Sequence, residues 1–247
     1  PAYEILSGLV GSEMCIRDRF NRLLSSAISA YGEPSFSSSK EEVKTEEKQN
    51  PINKNKYHLI TKPEEIDNWI KEAEEVGEVA VDTETSSLDP HQADLIGISL
   101  SSKIGKACYI PVGHKSDKCI DKNLVLGKLK PLFEDSSVKK IGQNIKFDFI
   151  VLFNQGIELN SMEDTMLMSY ALDAGKNRHN MDTLSEIHLD HKPIAFKDLV
   201  GSGKKEINFS EVDIDKAKDY AAEDADITFR LYKKFKKNLK TEKMTNI

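Results

Sequence analysis

A chain of 247 residues with 38% hydrophobic and 31% charged residues is sized for one large globular domain, or a medium one diluted by a polar tail. Its net charge of -6 argues against a surface that coats duplex nucleic acid by neutralising many phosphates, but allows a short single-strand site where metal ions neutralise them. No apolar run is long enough to span a bilayer and no basic-then-apolar leader opens the chain. Cys15, Cys108 and Cys119 lack the paired spacing of a zinc site, so a reduced cytoplasm is the expected setting.

Taken in chain order, residues 1–19 read unlike the rest. The stretch GLVGSEMCIRDR (8–19) has no clear periodicity and resembles translated sequencing-adapter sequence, so 1–19 is expected to be non-native. Residues 20–31 suit a short helix. Residues 37–56 are rich in Ser, Lys, Glu, Asn and Gln and should form a disordered linker. The folded unit is expected over 57–247. A helix is predicted over 63–76, with Ile66, Trp69, Ile70, Ala73 and Val76 at helical spacing. Strands follow at 79–84, 95–101 and 107–111, punctuated by Asp89-Pro90 and Ile104-Gly105. A helix over 124–133 precedes a fourth strand at 138–143, and further helices are predicted over 145–155, 164–173, 181–189 and 213–239. Strands first, helices later and a β-helix-β crossover between them give an α/β fold around a mixed sheet.

Four acids sit where acids are costly. Asp82 and Glu84 are two apart on a buried-looking strand and therefore share a face. Side by side they repel, and water, a shared proton or a divalent cation is the usual remedy. On the helix 145–155, Asp148 falls within the apolar stripe of Ile145, Phe149, Leu152 and Phe153, and a core-facing aspartate needs a partner. On the last helix, Asp224 lies on the packed face with Ala217, Tyr220, Ala221, Ile227 and Leu231, whereas Asp219, Glu223 and Asp226 are expected toward solvent. Each has an ordinary explanation by itself: a solvated strand end, a capped or ion-paired acid, and for Tyr220 a hydroxyl anchored in a core network. Jointly, four carboxylates suit Mg²⁺ or Mn²⁺, two of which roughly 4 Å apart can clamp an in-line displacement at phosphorus.

These residues also carry a resemblance. Asp82-Thr83-Glu84-Thr85-Ser86-Ser87-Leu88-Asp89 resembles the first motif of the DEDD exonucleases, and Gly142-Gln143-Asn144-Ile145-Lys146-Phe147-Asp148 the second. Tyr220-Ala221-Ala222-Glu223-Asp224-Ala225-Asp226 resembles the third in its tyrosine-bearing form. Between them, Tyr109-Ile110-Pro111-Val112-Gly113-His114, Arg178-His179-Asn180-Met181-Asp182-Thr183-Leu184 and Val200-Gly201-Ser202-Gly203-Lys204 are similar to the 3′–5′ proofreading domain of bacterial DNA polymerase I. The resemblance runs over 57–239. It implies a ribonuclease H-like fold with a five-stranded mixed sheet flanked by helices, and two-metal hydrolysis at the 3′ end of single-stranded or mismatched DNA. It also implies a fragment whose polymerase domain belongs to the full-length protein, with 20–36 as the tail of an upstream 5′-nuclease region.

Carried over by position, the resemblance assigns Asp82, Glu84 and Asp224 to the tighter metal and Asp82 with Asp148 to the second. Tyr220 and Glu84 would orient the attacking water. Some polymerases of this family have lost these acids; all four are present here. Leu88 and Phe196 would wedge against the terminal bases, and Thr85, Gln143, Asn144 and Arg178 would contact the 3′ end and backbone. Phe147 stands where some relatives carry tyrosine, so a hydroxyl contact is lost there. His114, His179, His188 and His191 have no ligand spacing and are expected to be structural or on the surface, and Lys204-Lys205 to be a solvated loop. The expected partner is an unpaired DNA 3′ end, the expected state a monomer in a bacterial cytoplasm near the nucleoid, with no membrane association. Two other readings stay open: a ribonuclease D-like 3′–5′ exoribonuclease, and an idle scaffold module of a polymerase.

Overall fold

A computed structural model describes residue 52 and residues 56–203 and 206–244. The expectations for 1–19, for 20–36, for nearly all of 37–56 and for Lys204-Lys205 fall outside the described residues. None of the described helices is long and apolar enough to cross a membrane.

The elements run β1 (Tyr57–Leu59), α1 (Pro63–Val76), β2 (Glu78–Thr85), β3 (Leu95–Lys103), β4 (Lys106–Pro111), α2 (Lys122–Glu134), β5 (Lys139–Gly142) and α3 (Lys146–Asn154). Then come β6 (Met162–Asp164), α4 (Thr165–Asp173), α5 (Met181–Leu189), α6 (Phe196–Val200), a 3₁₀ turn (Phe209–Glu211) and α7 (Ile214–Thr241). Local chemistry sets many of these limits. Pro63 opens α1, and Gly77, at φ 72°, closes it in the left-handed region that glycine enters without penalty. The side chains of Asp121, Asp164 and Asp213 accept backbone N–H groups at the starts of α2, α4 and α7.

The sheet order is β1-β4-β3-β2-β5-β6, with β3 antiparallel to both of its neighbours, β2 and β4, while β1 pairs parallel with β4, β5 with β2 and β6 with β5. Among the described residues the sheet has six strands, where the sequence pattern placed four and the resemblance implied five. The strands not placed are the two at the edges, β1 beside β4 and β6 beside β5. Both β1 and β6 have three residues, too short for a period of two to register in the sequence.

Alternation along β2 sorts the two layers. Val79 and Val81 face the larger core, shared with Ile66 and Trp69 of α1, Leu129 and Phe133 of α2, and Val151 and Leu152 of α3. Ala80 faces the opposite side, against Phe229 and Tyr232 of α7. Alanines at 217, 221, 222 and 225 let α7 lie close on the sheet, and all four are buried.

Two expectations about helix faces are corrected. Phe153 is 58% exposed and stacks on Phe149 rather than entering the core; Val151 takes its place. Glu223 and Asp226, expected toward solvent, are both fully buried, because α7 is covered on its flanks as well as by the sheet. Asp226 accepts from the Tyr57 hydroxyl (3.0 Å), the Gly105 amide (2.7 Å) and Arg230 Nε (3.0 Å), tying β1 and the β3–β4 turn to α7. Glu223 is partnered by His191 and the Ile194 amide. Asp219 is half-buried beside Lys218.

Candidate active site

The chain runs β2, β3, β4 outward on one side of β2, then crosses through α2 to place β5 on the other. Sheets that switch direction in this way leave a crevice beyond the carboxyl ends of the central strands. β2 outruns its parallel neighbour: pairing with β5 ends at Ala80↔Ile141, while β2 continues to Thr85. The free edge of β2 past Ala80 can therefore serve side chains instead of a strand.

The carboxylates converge there from three elements. Asp82 and Glu84, in phase with Ala80, point to the α7 layer, where Asp224 waits. One oxygen from each of the three lies within 4.8 Å of the others. Thr83, in phase with Val79 and Val81, points to the α3 layer. Its amide (2.9 Å) and hydroxyl (2.6 Å) both donate to Asp148 Oδ1. Asp148 thus reaches the unpaired edge of β2 from the other side of the sheet.

All four acids are held unusually proton-loving. Burial raises Asp82 to about 6. Burial, then the charges of Asp82, Asp224 and Asp148, push Glu84 well up; burial and Asp82 do the same for Asp148 and Asp224. Glu84 Oε1 is buried without any hydrogen-bond partner. An orphaned carboxylate oxygen among three other carboxylates is the donor set a hard divalent cation takes. Tyr220, one turn before Asp224 on α7, has its hydroxyl pKa raised by burial and then by Asp224, beside which it lies.

The cleft has a volume of about 1010 Å³. Of the residues assigned from the sequence, Asp82, Glu84, Asp148, Tyr220, Asp224, Thr85, Leu88, Gln143, Asn144 and Phe196 line it; Arg178 is exposed and is not among the lining residues. No lysine or arginine is among its described lining residues. Leu88 is 92% exposed and Phe196 43%, so neither is spent on the core. The Gln143 amide is occupied within the protein: its Nε2 donates to the His179 carbonyl (2.7 Å), and its Oε1 accepts from Thr165 Oγ1 (2.5 Å). Asn144 holds φ at 62°, a conformation costly for most side chains and tolerated by asparagine.

Several supporting residues escaped the sequence reading. Asp164 accepts from the amides of Asn144 and Ile145 (both 3.1 Å) and also from the start of α4, pinning the strained turn ahead of Asp148. Its signal was an N-cap aspartate, which says nothing about a second turn 20 residues away. Phe209 packs against Phe196 and Tyr220. Asn208 Nδ2 donates to the Ser86 carbonyl, closing the cleft's far wall. His114 is buried, hydrogen-bonded to the Tyr109 hydroxyl (2.7 Å) and packed on Phe209, as a structural histidine should be.

Residues 57–240 match the family model of 3′-5′ exonuclease. DNA polymerase I of Rhizobium leguminosarum is 44% identical over 218 residues, which cover 80% of this chain and 21% of that protein. The chain thus spans about a fifth of the length of such relatives. Among solved structures, Brucella melitensis NrnC with bound Mg²⁺ superposes with a TM-score of 0.55 at 25% identity, covering 77% of this chain and 83% of that one. Trypanosoma brucei RNase D superposes at 0.57 with 13% identity over 72% of this chain and 63% of its own, which speaks for the fold alone. The architecture is that of the ribonuclease H-like exonucleases. With three motifs assembled at one cleft and this degree of identity, the chain belongs to the 3′–5′ exonuclease family, as the exonuclease domain of bacterial DNA polymerase I type.

Proposed function

We propose that this domain hydrolyses phosphodiester bonds one nucleotide at a time from an unpaired DNA 3′ end, with two divalent cations, Mg²⁺ or Mn²⁺, held by Asp82, Glu84, Asp148 and Asp224. The observation that carries the reading is the cleft's charge. Five carboxylates line the cleft (Asp82, Glu84, Asp148, Asp224 and Glu206), with no basic side chain among its described lining residues, and such a cleft repels a phosphodiester anion unless cations stand between them. When bound, such ions supply an activated water at neutral pH and stabilise charge on the attacking and leaving oxygens.

The protein's own groups divide the remaining tasks. Asp82, Glu84 and Asp224 would hold one ion, Asp82 and Asp148 the other. Thr83 fixes one oxygen of Asp148, and the other would be the one to ligate. Tyr220, whose hydroxyl stays protonated across all working pH, would donate a hydrogen bond that orients water rather than remove its proton. Leu88 and Phe196, exposed at the cleft, would stack on the terminal bases, a contact that tolerates any sequence. Thr85, Asn144, Gln143 and Arg178 would contact the strand, Gln143 with whatever capacity His179 and Thr165 leave it.

Tyr220→Phe keeps the ring packed against Phe196 and Phe209 and removes only the hydroxyl. We expect a rate loss of about 10- to 1,000-fold with unchanged melting temperature, measured by release of 3′-terminal nucleotides. A harmless Tyr220→Phe beside a dead Asp224→Ala would make the tyrosine structural. Likeness to NrnC and RNase D keeps an exoribonuclease in view, while the 44% identity to a DNA polymerase favours DNA. Digestion of matched single-stranded DNA and RNA oligonucleotides in Mg²⁺ decides between them. Faster release from DNA supports the proposal, and faster release from RNA overturns it in favour of the ribonuclease. In the longer protein, a polymerase domain would be the partner that supplies the 3′ end, and the domain would serve proofreading in the cytoplasm as a monomer.

A further inference from the structure

Glu223 is a buried carboxylate that the mechanism does not use. It follows Tyr220 by three residues and immediately precedes Asp224 on α7, and it is fully buried. A buried carboxylate is retained only where its oxygens are partnered, and both of these serve one loop. Oε1 meets His191 Nε2 at 3.0 Å and Oε2 accepts from the Ile194 amide at 2.7 Å. Residues 191–195 lead directly into Phe196, the first residue of α6. That helix has Ala195 at its N-cap position and no side-chain cap of its own, so the Glu223 contact supplies an anchor its entry otherwise lacks. Phe196 then lies parallel to Phe209 at 6.0 Å and tilted on Tyr220 at 6.0 Å. Two consecutive residues of one helical turn therefore serve two ends of the substrate: Asp224 the metal, and Glu223 the loop that presents the aromatic wedge.

We propose that Glu223 is a positioning residue for the 3′-terminal base, its carboxylate clamping residues 191–195 so that Phe196 is set in register with the metal-binding acids. This rests on the proposed function, in which Phe196 stacks on the terminal base. The helix is the rigid link. Any shift of the loop relative to α7 would move Phe196 and leave Asp82, Glu84, Asp148 and Asp224 where they are. Loosening the clamp should thus weaken capture of the 3′ end without slowing chemistry on strands already bound.

The test uses the whole chain, single-stranded DNA and saturating Mn²⁺, with kcat and KM measured separately. Glu223→Ala is expected to raise KM between about 5- and 100-fold, the range for losing one stacked base, with kcat changed less than about threefold. Glu223→Gln keeps an acceptor for the Ile194 amide and should restore KM to near that of the unaltered protein. In a Phe196→Ala background, Glu223→Ala should add less than about a twofold penalty, since the two changes remove one contact. Should Glu223→Ala fail to fold, His191→Ala opens the same clamp from its solvent side and enters the same cycle. Additive penalties, or a loss confined to kcat, overturn the proposal. Unaltered protein that releases no 3′ nucleotides, or a Phe196→Ala variant with unchanged KM, overturns the parent reading instead.

Discussion

Asp224→Ala should lower the rate of 3′-nucleotide release by about a thousandfold or more while the domain stays folded. Losing a single preorganised electrostatic stabiliser commonly costs about 10²- to 10³-fold, and Asp224 would help place an ion, so the loss should lie at or beyond the upper end. Stability should move the other way. Asp224 is buried within 4.8 Å of two more carboxylates, and its proton affinity is raised by burial and by Asp82. Removing it deletes a like charge from a crowded site, so the metal-free melting temperature should hold or rise. Single-turnover cleavage and thermal unfolding on the same preparation check both halves. A variant that is inactive because it has unfolded would contradict the assignment of Asp224 to chemistry.

Removing divalent ions should abolish activity and expose a pH-dependent weakness. A carboxyl whose pKa is raised in the folded state binds its proton more tightly there. Its stabilising effect is therefore complete below the unfolded value of about 4 and is lost as pH rises through the folded value. For Asp82 that value is about 6, and Glu84, Asp148 and Asp224 are shifted in the same direction. Buried His114 and His188 oppose this trend, because burial lowers their ring pKa and favours folding as pH rises. The informative quantity is therefore the gain in melting temperature on adding Mn²⁺, in which the histidine contribution cancels. That gain should be small near pH 5 and grow toward pH 7.5, as the acids shed protons and begin to repel one another. A gain that is absent, or constant with pH, would mean that the four acids do not share a cation.

The helices and central strands were legible because each is long enough to display its period: α1 through Ile66, Trp69 and Ala73, β2 through alternating neighbours of Val79 and Val81. β1 and β6 were not, since three residues carry no readable alternation. The site's acids were legible for a different reason, that an aspartate on an apolar face is anomalous wherever the chain goes. The same logic misfired on Glu223 and Asp226. A helical wheel shows which residues share a face with apolar neighbours, but not that a distant loop and an edge strand cover the other face. Tyr57, Gly105 and His191 lie 32 to 169 residues from the acids they partner, and no local pattern reports such contacts. The role of Asp164 was hidden likewise, behind an ordinary helix cap.

The central claim is metal-dependent hydrolysis of an unpaired DNA 3′ end, and one comparison addresses it directly. Strands of the same sequence, labelled at the 5′ end, are offered single-stranded, with a mismatched 3′ terminus, and fully paired and blunt, each in Mg²⁺ and in excess chelator, well below duplex melting. We expect stepwise shortening from the 3′ end in Mg²⁺, fastest on the single strand, intermediate on the mismatch and slowest on the paired end, and none in chelator. Equal rates on paired and unpaired ends, or undiminished cleavage in chelator, would contradict it.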